Sequence, residues 1–239
     1  MAIRYVVSDH DAGLHVALSG QLELADVGRL RLRLFKCLAE QPDAVFVDIA
    51  GLTVSQPLAL TVFAVVARQA ARWPGTPVVL CGPTAPTRTM LAEAPYRRLA
   101  VFPDVEAAAA DVGSFRRSLP SLSDELLPMT GAVRQARNVA TEACLRWELP
   151  HLIAPASLIA DELVSNVSDH ANTMATLRLA LRPRYLTVAV QDGSQAPPVI
   201  APGPAAGRGR GLLLVEASAH SWGWMPTEGG KVVWASLSV

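Results

Sequence analysis

Glu162 and Asn166 lie four residues apart in the run Asp161-Glu162-Leu163-Val164-Ser165-Asn166. On a helix that spacing points both side chains from one face. A carboxylate and a carboxamide in this relation suit phosphoryl transfer. Glu162 can orient or deprotonate an attacking hydroxyl, and the Asn166 carbonyl can ligate a magnesium ion that bridges phosphates. His170 follows one turn later. The same pattern also fits the solvated side of an ordinary amphipathic helix.

Two further segments carry chemistry. Val188-Ala189-Val190-Gln191-Asp192-Gly193 reads as a strand closing in Asp-Gly. The carboxylate is suited to accept the exocyclic amine of adenine, and the glycine lets a flat ring approach the backbone. A plain β-turn has the same signature. Gly207-Arg208-Gly209-Arg210-Gly211-Leu212 then runs into an apolar helical stretch. Backbone N–H groups at such a helix start form a phosphate cradle, and the arginines add positive charge. A flexible loop before a helix reads the same way. The run follows neither the Walker pattern, which needs Lys-Ser/Thr after the last glycine, nor a dinucleotide fingerprint, which needs a strand directly before it.

The elements that must position these residues follow from hydrophobic period and breakers. In the first half, residues 14–20 predict a strand, 26–40 a helix, 43–49 a buried strand, 58–73 a long apolar helix, 77–81 a strand and 86–94 a short helix. In the second half, helices are expected over 130–147 and 155–171, with proline well placed in the first turn of the latter. Strands are expected at 176–181, 186–191 and 231–237, with a helix at 212–219. The period lapses between Gly113 and Glu125, where proline and serines collect. We therefore expect two α/β domains, 1–115 and 126–239, joined by a linker at 116–125.

Bulk composition narrows the function. Of 239 residues, 51% are hydrophobic and 18% charged, enough apolar material for two real cores. Twenty-one basic and 21 acidic residues leave a formal net charge of +0. That balance argues against direct binding to nucleic acid or an anionic membrane surface. Cys37, Cys81 and Cys144 are isolated and odd in number, as in a reducing compartment. The amino terminus lacks a signal core, and the best apolar run falls well short of the about 20 residues a membrane span needs, so a cytoplasmic location is expected. The five histidines show no HExxH spacing, and no Gly-x-Ser-x-Gly turn is present.

Taken in order, Glu-Leu-Val-Ser-Asn-(x)3-His-Ala, Val-Gln-Asp-Gly-Ser and Gly-Arg-Gly-Leu resemble the histidine-kinase-like ATPase fold, and within it the bacterial anti-sigma-factor serine kinases. Trp222-Gly223 and Gly229-Gly230-Lys231-Val232-Val233-Trp234 extend the resemblance to nearly all of 126–239. It implies ATP and Mg2+ as ligands. It implies Glu162 as base, Asn166 as metal ligand, Asp192 as adenine contact, and Gly209 and Gly211 in a phosphate lid. His170, Gly193, Arg210 and Leu212 fall within the same nucleotide-binding motifs. Arg137 stands at the place of an arginine in the family's first helix that serves partner contact and the transferred phosphate. One departure is Val232, where a hydroxyl residue is common.

Residues from about 3 to 112 resemble the STAS domain of anti-sigma-factor antagonists, through Leu18-Ser19-Gly20-Gln21-Leu22-Glu23-Leu24, Val45-Phe46-Val47-Asp48-Ile49-Ala50-Gly51-Leu52-Thr53 and the helix after Leu58. The family's phosphorylated serine sits in an Asp-Ser pair that falls here on Gln56-Pro57. Proline has no hydroxyl, and Ser55 lies two residues earlier. The resemblance implies a signalling protein of transcriptional or stress control that transfers the ATP γ-phosphate to a serine on a separate STAS-type antagonist. A sigma factor and a second copy of the chain are further candidate partners. The alternative is a module in which nucleotide binding alone controls a partner, and a third reading is a scaffold that binds no nucleotide.

Overall fold

The computed structural model describes residues 3–73, 75–114, 120–198 and 211–239. The chain divides into two compact units, Met1–Arg117 and Ser118–Val239. Both are mixed α/β.

In the first unit, strands β1 (Arg4–His10), β2 (Gly13–Leu22), β3 (Val45–Val54), β4 (Val78–Cys81) and β5 (Ala100–Phe102) form one sheet in that order. β1 and β2 pair antiparallel, and every later pair is parallel. Helices α1 (Val27–Ala39), α2 (Thr61–Arg72) and α3 (Ala85–Leu91) make the crossovers, and α4 (Val105–Ser114) follows the last strand and packs on β3, β4 and β5. A parallel strand covered on both faces should be an unbroken apolar run, and Val45, Phe46 and Val47 are all buried. Leu30, Leu34 and Leu38, one turn apart on α1, form its buried stripe.

The helix expected over 58–73 begins instead as a 3-10 turn, Pro57–Leu60, and becomes α-helical at Thr61. Pro57 takes the first position of that turn, where its missing N–H costs no bond. Tyr96 Oη donates to the Pro57 carbonyl at 2.7 Å, and Ser55 Oγ donates to the Leu22 carbonyl at 3.2 Å. Strand β1 is not expected from the sequence, because its residues are mostly exposed and carry no apolar alternation. It exists through pairing with β2 alone.

In the second unit, β6 (Ser121–Leu126), β7 (Ala175–Leu181), β8 (Tyr185–Asp192), β9 (Ser221–Pro226) and β10 (Lys231–Ser238) form an antiparallel sheet ordered β6-β7-β8-β10-β9. Helices α5 (Ala132–Arg146) and α6 (Ile153–Asn166) pack on each other, and α6 also packs on α7 (Gly211–Ser218), β8 and β10. Ala140, Ile159, Leu163, Leu177, Val188, Val190, Val233 and Ala235 share the core between helices and sheet.

The linker expected at 116–125 needs correction. Residues 121–125 belong to β6, which pairs with β7 from Ser121↔Ala180 to Leu126↔Ala175. An edge strand needs partners on one side only, so its outward serines and acids hide the strand from a hydrophobic period. Residues 155–171 are likewise not one α-helix. α6 ends at Asn166 and the chain continues as a π turn, Val167–Ala171, closed by Asn172 at φ 50°. Among the described residues no helix is long and apolar enough to cross a membrane.

Candidate functional site

α6 buries Ala156, Ile159, Ala160, Leu163 and Val164. Glu162 and Asn166 flank that stripe and are both half-buried. The Glu162 carboxylate lies against the first residue of α7. A Cβ built on Gly211 would stand 2.5 Å from Glu162 Oε2. Only glycine leaves that space to the carboxylate, and the helix start places partial positive charge beside it. Burial pushes the Glu162 carboxyl above the usual carboxylate range, and the neighbouring Asp161 charge adds to the push. An acid held this way is a better base once ionised.

Arg137, on α5, pairs with Asp161 across the helix–helix contact, Nε to Oδ1 at 3.8 Å. It therefore bears on the carboxylate next to Glu162, and its guanidinium is half exposed. Asn166 closes α6. His170 is exposed within the π turn. The wider turn carries the chain to Thr173, whose Oγ1 accepts the Gly193 N–H at 3.0 Å. The segment after Asn166 is thus tied to the Asp192-Gly193 turn.

Asp192 ends β8 on the helix-covered face, in line with Leu186, Val188 and Val190, and is 5% exposed. Its Oδ1 accepts the Ser194 N–H at 2.7 Å and the Lys231 Nζ at 2.9 Å. Lys231 stands opposite Asp192 in the β8–β10 register and also reaches the Ser194 carbonyl at 3.4 Å. Gly230 presses on the same turn. A Cβ there would overlap the Asp192 carbonyl oxygen. Lys231 and Gly230 fall in a segment that carries the resemblance, but sequence reasoning assigns them no place in the site. The signal was the Gly-Gly-Lys opening of the last strand, which becomes meaningful only when β10 is laid beside β8.

Gly211 is the first described residue of its segment; Gly207, Arg208, Gly209 and Arg210 lie outside the described residues. Leu212 is 3% exposed and packs in the core, so it can offer a ligand its backbone N–H and not its side chain. Val232 is fully buried. A separate cavity of about 380 Å3, lined by residues that include Glu125, Leu127, Arg134 and Asn138, contains none of these residues.

The groups present fit a magnesium nucleotide. Asp192 Oδ2 receives no donor among the described residues, so it keeps acceptor capacity for an amine. Gly230 and Gly193 bring bare backbone to the turn. Among the described residues no three His, Cys, Asp or Glu side chains are clustered to hold a metal. A carboxamide at Asn166 suits a magnesium ion that takes its other ligands from phosphate and water.

The histidine kinase-like ATPase domain family matches residues 128–237, most of the second unit. That match implies ATP as the ligand class. The amino-terminal part is similar to solved anti-sigma-factor antagonists. One, from Mycobacterium paratuberculosis, shares 21% identity over 47% of this chain and 95% of its own, with a TM-score of 0.40. The antagonist SpoIIAA in its unphosphorylated form shares 13% over 46% and 97%, with a TM-score of 0.39. A variant of RsbS from Moorella thermoacetica shares 19% over 47% and 97%, with a TM-score of 0.40. A search of curated proteins finds no match.

Proposed function

We propose that the second unit binds ATP with Mg2+ and transfers phosphate to a serine of a separate STAS-type antagonist, as a sigma-factor regulatory kinase. The observation that carries this reading is the meeting of Glu162 with Gly211, on a helix that also packs against the strand ending in Asp192. A base, a helix start and an adenine acceptor then border one helix. Glu162 would hold and deprotonate the incoming hydroxyl. Asn166 would hold the metal, and the α7 amides would hold phosphate oxygens. ATP supplies the transferable phosphoryl group. Arg137, through Asp161, would set the charge beside Glu162 and face the partner. His170, Gly193, Gly209 and Arg210 are proposed as lesser contacts of the same site.

The first unit is proposed as a docking module without a phosphorylation switch. Pro57 offers no hydroxyl, and its loop is pinned by Tyr96. Ser55 already donates its proton to the Leu22 carbonyl.

Transfer of labelled phosphate from ATP to purified STAS-type antagonists, compared with Glu162→Ala, tests the kinase. Loss of 10²-fold or more in the variant is the expected size for a general base. A second reading, nucleotide binding without transfer, is favoured by Pro57, which leaves the first unit without an acceptor hydroxyl at that position. Partner capture that needs ATP yet survives Glu162→Ala would establish that reading in place of the kinase.

A further inference from the structure

Lys231 and Asp192 form the most buried ion pair among the described residues, with side chains 10% and 3% exposed. Such a pair normally needs every proton and lone pair satisfied, because an unmade bond in low dielectric is costly. Here it is not closed. The Lys231 ammonium has three protons; one goes to Asp192 Oδ1 and a second to the Ser194 carbonyl. The third has no acceptor among the described residues. Oδ1 accepts both Lys231 and the Ser194 N–H, while Oδ2 accepts from no described donor. Among the described residues, one open donor and one open acceptor therefore belong to the same ion pair, held by the β8–β10 register and by the Ser194 turn.

That arrangement is the complement of one edge of adenine. The exocyclic amine donates, and the adjacent ring nitrogen N1 accepts. At the same placement guanine or hypoxanthine presents a carbonyl and an N–H, the reverse order, which would set oxygen against carboxylate and N–H against ammonium. We propose that Lys231 is a base-reading residue: it donates to ring N1 of an adenine whose amine donates to Asp192 Oδ2. The inference rests on the nucleotide-site reading and adds to it the residue that reads the second position of the base.

The full chain is titrated by calorimetry in magnesium with ATP and with 1-deaza-ATP, which keeps the amine but replaces N1 by C–H. The expected result is binding of 1-deaza-ATP weaker by about 10-fold or more, the size of one hydrogen bond from a charged donor. The same pair of ligands is then measured on Lys231→Met and Lys231→Gln. Lys231→Met should bind ATP weakly and no longer distinguish the two ligands, while Lys231→Gln, which keeps an N–H donor, should retain part of the difference. Equal affinities on the unaltered chain overturn the proposal and leave the ATP site standing, as does a 1-deaza penalty that persists unchanged in folded Lys231→Met. No saturable ATP heat overturns the ATP site itself and this proposal with it. Should neither variant fold, the two ligands on the unaltered chain decide: a tenfold loss supports the assignment and equality ends it.

Discussion

The Glu162 carboxylate occupies the space that a side chain on Gly211 would need, with Oε2 2.5 Å from the ideal Cβ position. A residue on α6 and the first residue of α7 are thereby made interdependent. The contacting atom is the far end of a flexible side chain, so Gly211→Ala should displace Glu162 without breaking the fold. A melt within about 1 kcal/mol of the parent, combined with a 10²-fold fall in phosphate transfer, is expected. A large loss of stability with proportionate loss of transfer would show that the contact is packing alone.

Glu162 should also leave a signature in stability against pH. Its pKa is raised in the folded chain, so the folded state binds the proton more tightly than the unfolded one. Stability then falls as pH rises from the usual carboxylate range through the raised value, and stays lowered above it. Glu162→Gln carries no such charge. The variant should melt higher than the parent at pH 8, with the difference shrinking to nothing as pH falls below the usual carboxylate range. Melting curves across that window check the sign, and a difference independent of pH would refute it.

Gly229 and Gly230 make a matched pair for testing the hairpin that carries Lys231. A Cβ at Gly229 meets nothing within 4 Å, whereas one at Gly230 overlaps the Asp192 carbonyl oxygen. The obstacle at Gly230 is backbone, which cannot swing aside. Gly230→Ala should therefore cost about 1–3 kcal/mol or more, and Gly229→Ala close to none. Denaturant unfolding of the two variants separates them. Equal costs would mean that the hairpin yields freely.

All three cysteines are buried. The Cys81 thiol is pushed up to about 12, by burial first and then by Asp48, Asp104 and Glu106. Burial also raises Cys144. Because the thiolate is the reactive form, a thiol reagent at pH 8 should label none of the three rapidly in the folded chain and all three in denaturant. Fast labelling of Cys81 in the native state would contradict both its burial and its raised pKa.

Much of the architecture is readable from local pattern. The one-turn spacing of Leu30, Leu34 and Leu38 marks α1, and the apolar run around Val45 to Val47 marks a strand covered on both faces, because burial imposes those periods directly. β1 and β6 lie at sheet edges, and their exposed residues are under no such constraint. The π turn after Asn166 is equally hidden, since its residues look helical and only the hydrogen-bond spacing changes.

The candidate site divides along the same line. Glu162 and Asn166 share a flank of α6 because of helical geometry, and Asp192 shares a face with Val188 and Val190 because of strand alternation. These relations belong to the sequence alone, since each spans a turn or two of chain. The pairing of Lys231 with Asp192 spans 39 residues and exists only in the β8–β10 register. The seat of Glu162 against Gly211 exists only where α6 packs on α7. Local spacing decides which way a side chain points, but long-range packing decides what it meets there.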